Sequence, residues 1–419
     1  MKRVKFDECF DKMFDFRGKT PKKIDMDWGG GDIPALSANN VKMGKIDFSQ
    51  PTYYGSEKLY NKWMNKGNLK KGDVLMTMEA PLGNTVLIPD NKKYILSQRV
   101  VAFRTTKDVY NKYFMYYIMS PMFRKELDKY STGTTATGIS QKNLFEIYIN
   151  IPEYKQQQKI AKVLATLDQN IEKTTFTIEK YKKVKKGLMD DLLTGKIRIK
   201  DGKWIKETEF KWIEGIGEVP KEWDNGNITT LVEVNPKKNI KKLLKEDIVS
   251  FIAMEDTSEE AKVTNMTDKK LYEVEKGYTN FHENDILFAK ITPCLENGKG
   301  GLAVGLTNGV GFGSTEFHVL RSKNKKSIMF VYQYSKYNKL RIKAAGLMVG
   351  SAGQQRIGKD FFESYKIGIP NYDEQKSIGE ILYKQDQLIE KEEQYLQKLQ
   401  KLKSGLMEDL LTGKKRVKI

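Results

Sequence analysis

Two short runs place primary amides beside a guanidinium: Gln98-Arg99 and Gln354-Gln355-Arg356. Both groups are planar and can make two parallel hydrogen bonds at once. An arginine fork fits the O6/N7 edge of guanine or the oxygens of a phosphate, and a glutamine fits the N6/N7 edge of adenine. Each run adjoins apolar residues, Val100-Val101 and Ile357, that can anchor it. The bulk charge also favours a polyanionic partner. Among 419 residues, 73 Lys+Arg face 54 Asp+Glu, a formal charge of +19 with pI ≈ 9.4; such an excess points to nucleic acid. The competing reading of the charge alone is a lysine-rich solvated surface.

Catalytic signatures are missing. Gly18-Lys19-Thr20 ends like a phosphate-cradling loop, but Met13 stands where its first glycine belongs;. Gly133 to Gly138 has the spacing without the lysine, and Gly29-Gly30-Gly31 is a plain loop. There is no Asn-Pro-Pro-aromatic amino-methyltransferase motif, no Gly-x-Ser-x-Gly elbow and no HExxH. Triplets such as Glu153-Tyr154-Lys155 evoke nuclease sites, yet a chain this rich in Glu and Lys contains them by chance. No Cys/His cluster has metal spacing, since the chain has only Cys9, Cys294, His282 and His318;. We therefore read a non-enzyme that needs no metal or cofactor of its own. With two cysteines and no apolar segment in the lead MKRVKFDECFDKMF, we read it as cytoplasmic and free of membrane;.

The length predicts two or three domains, and the chain repeats itself. GLMDDLLTGK (187–196) returns as GLMEDLLTGK (405–414), 218 residues on. In that register, residues 151–199 match 369–417 at about 24 of 49 positions without a gap. A period this long marks a duplicated domain. Each copy has the 3.5-residue rhythm of a coiled coil. The first seam is Ile160, Leu164, Leu167, Ile171, Thr174, Ile178, Tyr181, Lys185, Leu188 and Leu192. The second is Ile378, Leu382, Gln385, Ile389, Glu392, Leu396, Leu399, Lys403, Leu406 and Leu410. Asn371 with Glu374 predicts a helix start, and Thr-Gly at 194–195 and 412–413 predicts a glycine stop. From Gln156 to Leu193 the helix would run about 57 Å. Two such helices in one chain can pair with each other; the alternative is one helix packed on each globule.

The segments ahead of the helices correspond in outline. TPKKIDMDWGGGDIPALSANN (20–40) answers NPKKNIKKLLKEDIVSFIAME (235–255), and KKGDVLMTMEAPLGNTVLI (70–88) answers HENDILFAKITPCLENGKGGLAV (282–304). SQRVVAFRT (97–105) answers STEFHVLRS (314–322). Short apolar runs broken by Gly, Asn and Pro predict strands, with helical pieces at 110–129 and 328–344. The fold class is α+β: two mixed α/β globules separated by a pair of long antiparallel coiled-coil helices, related by a pseudo-two-fold repeat. The expected boundaries are 1–152 for the first globule, 153–200 for the first helix, 201–370 for the second globule and 371–419 for the second helix.

This duplicated order resembles the DNA-specificity subunits of Type I restriction-modification systems over almost the whole chain. GDVLMTMEAPLGN, YILSQR, GTTATGISQKNL and WIEGIGEVPKEW (212–223) carry the likeness along with the repeat. The resemblance implies two target recognition domains that read the halves of an interrupted, asymmetric site in double-stranded DNA. The helices then set the spacer. It also implies two methyltransferase subunits docked on the frame, with a restriction subunit as a further partner; S-adenosylmethionine and ATP/Mg belong to those partners. The polar loops then supply the readers. In the first domain these are Lys22, Lys23, Asn39, Asn40, Thr77, Glu79, Asn84, Gln98, Arg99, Thr134, Thr135, Thr137, Ser140 and Gln141. In the second they are Lys237, Lys238, Glu255, Asp256, Lys290, Thr292, Asn297, Lys299, Thr315, Glu316, Gln354, Gln355, Arg356 and Lys359. Each has a bland alternative, because polar loop residues often only close turns. Trp28 and Trp63 are read as core. At the level of the whole chain the alternatives are a stand-alone nuclease and a coiled-coil assembly scaffold.

Overall fold

A computed structural model describes residues 1–133, 137–240, 243–351 and 353–417. The chain divides into two compact units, Met1–Phe176 with Gln394–Ile419, and Thr177–Glu393. Compactness thus groups each globule with the helix halves that pack on it, whereas the boundaries at 152, 200 and 370 mark segments along the chain.

In the first unit, β1 (Phe10–Asp15), β2 (Val74–Thr77), β3 (Thr85–Leu87) and β4 (Val100–Thr105) form an antiparallel sheet in the order β1-β4-β2-β3. A three-stranded sheet joins Ile33–Leu36 to Tyr53–Gly55 and, in parallel, to Ile95–Leu96. Lys2–Lys5 pairs with Tyr148–Ile151. The first long helix, α1 (Tyr154–Leu193), begins three residues beyond that pair.

The second unit repeats the plan. Its strands β5 (Val232–Val234), β6 (Ile286–Ala289), β7 (Gly300–Leu302) and β8 (Phe317–Ser322) follow the order β5-β8-β6-β7. A second sheet again contains a parallel pair, Ile248–Ile252 with Val310–Gly313. Asp224–Asn227 pairs with Lys366–Ile369, ahead of the second long helix, α2 (Tyr372–Thr412). A bidentate arginine–aspartate pair stitches each main sheet: Arg104 to Asp73 (2.9 and 2.7 Å), Arg321 to Asp285 (2.8 and 2.6 Å). The predicted helical pieces are each two helices. Asn111–Met119 breaks before Pro121–Tyr130 at a proline, and Ile328–Ser335 breaks before Asn338–Ala345;.

The helix halves in each unit run antiparallel. In the first unit Ile160, Ala161 and Leu164 share a core with Met407, Leu410 and Leu411. In the second, Met189, Leu192 and Leu193 share one with Ile378 and Leu382. The glycine stops hold, with Gly195 and Gly413 at φ 73° and 80°. Asn371 Oδ1 accepts the Glu374 N–H at 2.9 Å, as a cap should. The Glu374 side chain instead takes a bidentate bond from the buried Arg198, 2.7 Å to each oxygen, and one from Trp223 Nε1 at 3.1 Å. This cluster ties the hairpin Ile197–Lys200/Lys203–Lys206 to the start of α2.

Most of the predicted seam is buried, but Ile171, Tyr181, Leu188, Glu392, Leu396, Lys403 and Leu406 are only half-buried. A seam of two helices covers Ile171 and Leu396 from one side. At 188 and 406 the helix turns at 3.6 residues and drifts off a 3.5-residue seam. Met189 and Met407 take the buried positions there. The same drift corrects Gln385: the buried neighbour is Asp386. Asp386 accepts from Lys185 at 2.6 Å, Lys336 at 2.8 Å and Gln333 at 2.8 Å. In the first unit Asp168 accepts from Lys403 at 2.5 Å and Tyr116 at 2.6 Å.

Burial pushes the Asp386 carboxyl up, but Lys336 and Lys185 outweigh it and hold the group below its usual range. Its contribution to stability is therefore present above about pH 4 and lost as the pH falls further. Asp386→Asn leaves two buried lysines without a counter-charge and should cost about 3–5 kcal/mol. Asp168→Asn, at a side chain 36% exposed, should cost about 1 kcal/mol or less. Urea unfolding of the two variants checks this asymmetry.

Candidate nucleic-acid interface

In each unit three loops meet at one corner of the main sheet. In the first, the loop after β2 holds a cis Ala80–Pro81 bond. The Met78 N–H donates to the Arg99 carbonyl at 2.8 Å, and the Ile139 N–H donates to the Met78 carbonyl at 3.0 Å. In the second, the loop after β6 holds a cis Thr292–Pro293 bond. The Lys290 N–H donates to the Glu316 carbonyl and the Ile357 N–H to the Lys290 carbonyl, both at 2.9 Å. Thr132 with Gly138, and Val349 with Arg356, close the third loop of each corner by exchanging two backbone bonds.

Identical backbone scaffolds carry different side chains. An exposed acid–arginine pair sits at both corners, assembled from different chain positions. Arg99, just before β4, reaches Glu79 of the cis-proline loop at 3.0 Å. Glu316, just before β8, is gripped by Arg356 of the third loop at 2.9 and 3.0 Å. Arg99 adopts φ 65°, a left-handed turn that puts its side chain out of the strand's alternation;. The corner of the second unit is further held by His318. Its Nε2–H donates to the Ile357 carbonyl at 2.9 Å and its Nδ1 accepts from Asn235 at 3.0 Å. Burial, the largest influence, lowers its pKa, so the neutral imidazole that this arrangement requires is favoured.

Beside the first corner lies a cleft of about 320 Å³ lined by Lys19, Lys22, Trp28, Tyr53 and Gln98. Trp28 stacks on Tyr53 with ring centroids 5.4 Å apart. Lysines lining the same cleft as an aromatic stack and an amide can hold a phosphate while the rings stack a base or sugar.

The model of the Type I restriction modification DNA specificity domain family matches residues 1–180 and again 220–401. The chain belongs to this family. The Type I restriction enzyme EcoAI specificity subunit of Escherichia coli is 36% identical over 193 residues, 43% of this chain and 31% of that protein. The chain thus spans about a third of that relative's length in the matched region. The putative type I restriction enzyme MjaX specificity subunit of Methanocaldococcus jannaschii is 25% identical over 397 residues, 92% of this chain and 88% of that one. The fold is shared with the Type I restriction-modification S subunit from M. genitalium, at TM-score 0.56 and 15% identity, over 98% of this chain and 96% of that one.

The two specificity domains place the sequence candidates unequally. Glu79, Gln98, Arg99, Lys290, Thr315, Glu316, Gln354, Gln355 and Arg356 gather at the two corners, and Lys22 lines the adjoining cleft. Thr137, Ser140 and Gln141 are exposed on the third loop or just past it, although Ser140 also caps a short helix through the Asn143 N–H. Thr134 and Thr135 lie outside the described residues.

Other candidates serve the loops themselves. Asn40 is fully buried, accepting from Ser37 Oγ at 2.7 Å and donating to Thr52 Oγ1 at 2.8 Å. Thr77 is fully buried; its hydroxyl donates to the Pro81 carbonyl and accepts the Asn84 N–H at 2.9 Å. Asn84 donates to the Val41 carbonyl, Thr292 to Glu296, and Lys299 to the Met254 carbonyl. Asp256 accepts the Ala253 N–H at 2.9 Å and closes its own loop. Lys23 donates to the Gly18 carbonyl, and Lys238 to that of Glu275. Lys359 faces Glu363 at 3.6 Å one helical turn on. Asn39, Lys237, Glu255 and Asn297 are exposed.

The reading missed Lys19, passed over with its failed phosphate motif, and Tyr53. The aromatic doublet Tyr53-Tyr54 inside the polar run SQPTYYGSE was the available signal. Trp63 is core as expected, donating to the Leu96 carbonyl at 3.0 Å, whereas Trp28 is half-exposed.

Thr77→Val keeps shape but leaves the Asn84 N–H without its acceptor. We expect a loss of about 1–3 kcal/mol, measured by urea unfolding, with faster amide exchange at Asn84.

Proposed function

We propose that this chain is the sequence-reading subunit of a Type I restriction-modification complex. On this reading it recognises an asymmetric bipartite site in double-stranded DNA, one half per recognition domain, with a spacer set by the helix pair. The observation that carries it is the repeated corner: the same backbone bonds in both units, presenting different polar side chains. A homodimeric reader needs palindromic half-sites. Two unlike heads in one chain remove that constraint. Phosphate contacts from the lysine-rich surface supply affinity that falls steeply with salt, and the corner side chains supply base discrimination.

Methyl transfer then belongs to methyltransferase subunits that bind S-adenosylmethionine, and any cleavage to a restriction subunit that uses ATP and Mg. The relatives' names as specificity subunits support this assignment, and residues 1–180 and 220–401 carry the family's domain twice.

Co-expression with a methyltransferase partner, followed by mapping of methylated bases in host DNA, tests the reading. One bipartite motif is expected, absent when the gene is deleted. Arg99→Ala should weaken or relax one half-site and Arg356→Ala the other, each by about tenfold to a hundredfold for a lost bidentate base contact. If both variants change the same half, or no bipartite motif appears, the proposal falls. Inserting one heptad into both helices should lengthen the spacer and leave half-site identity unchanged.

A further inference from the structure

The second unit has an open cavity of about 340 Å³ that the DNA-reading role does not use. Three of its lining cations are largely buried: Arg341 at 7% exposure, and the side chains of Lys336 and Lys185 at 7% and 11%. Within the cavity the sole buried carboxylate among the described lining residues is Asp386, already shared by the two lysines at 2.6 and 2.8 Å. Arg341 has no carboxylate. Its Nε donates to the Ser335 carbonyl at 2.9 Å and its Nη1 to that of Leu295 at 3.1 Å, while its plane lies 4.5 Å over Phe288. Its Nη2 is buried and has no partner among the described residues.

A buried donor on a cation is costly to leave unsatisfied, and such a group calls for an explanation. Holding the loop after β6 is only part of one. In the first unit Arg124 holds the equivalent loop through the Leu82 carbonyl at 2.7 Å, and it remains half-exposed. Water can satisfy the rest of Arg124. Burial also pushes the Lys336 ammonium down to about 7, with Lys185 adding to the effect. Three buried cations against one carboxylate leave room for one more negative group.

We propose that this cavity is a binding site for a small phosphate-type oxyanion, held by Lys336, Lys185 and Arg341. The volume lies at the small end of ligand pockets, and planar guanidinium with ammonium suits phosphate oxygens. The lining also holds Glu259, Glu260, Glu296 and Glu393 together with Lys182 and Lys262. A pocket of this size admits a free phosphate or a small phosphate ester and not a duplex.

Calorimetric titration of the full chain with inorganic phosphate, and in parallel with a nucleoside monophosphate, tests this without DNA. Sodium chloride at matched ionic strength is the control. We expect one saturable site per chain, and the tighter of the two ligands identifies whether bare ion or ester is preferred. Lys336→Met leaves Asp386 paired with Lys185, so it should melt like the parent without phosphate yet bind at least about tenfold more weakly. Arg124→Lys should bind as the parent does. No saturable heat up to about 10 mM of either ligand, a range in which even weak sites respond, overturns the proposal. So does undiminished binding by Lys336→Met, or displacement of bound phosphate by short duplex DNA. Loss of DNA reading alone would leave it standing.

Discussion

The constraint on which everything else rests is a charge pair between the two long helices, written twice. Lys185 meets Asp386 in one unit, and Lys403 meets Asp168 in the other. A shift of 218 residues turns each pair into the other with donor and acceptor helices exchanged. Apolar seams tolerate slippage by a turn, since leucine packs nearly as well one register along. A buried ammonium tolerates none, because a slip leaves it without its carboxylate. The buried Lys185–Asp386 pair thus fixes the register of the helix halves in the second unit, and the more exposed Lys403–Asp168 pair repeats the same contact more weakly in the first;.

Above that frame, conservation of form and variation of chemistry are separated. Both corners are closed by backbone bonds, which do not depend on the side chains they present. That allows Arg99 to stand where Glu316 stands, and the partner acid or base to be supplied from a different loop. The loop surfaces can then diverge without disturbing the strands beneath, where Asp73–Arg104 and Asp285–Arg321 keep the same geometry.

Helices, glycine stops, strand runs and the polar loops were legible because each leaves a period or a punctuation mark; the order of the strands was not. Less legible was the sense of single polar residues. Asn40 and Thr77 look like surface groups, yet tight turns bury backbone donors and acceptors that need exactly such short side chains as partners. Asp168 and Asp386 lie off the predicted seam and drew no reading, because 3.5- and 3.6-residue repeats diverge along a helix. Arg198 gave no signal at all. Its carboxylate partners, Glu207, Glu222 and Glu374, are spread over most of a domain, and no periodicity links them.

The Arg198 cluster has a practical corollary for anyone recombining such chains. It joins the hairpin after α1 to the first turn of α2 and to Trp223, so the polypeptide from 197 to 223 is mechanically part of the second globule's base. A chimera cut at residue 200, inside that hairpin, would strand a buried guanidinium in a foreign socket. Moving the seam of the graft upstream of that hairpin, and carrying Glu374 along, keeps the donor module self-contained.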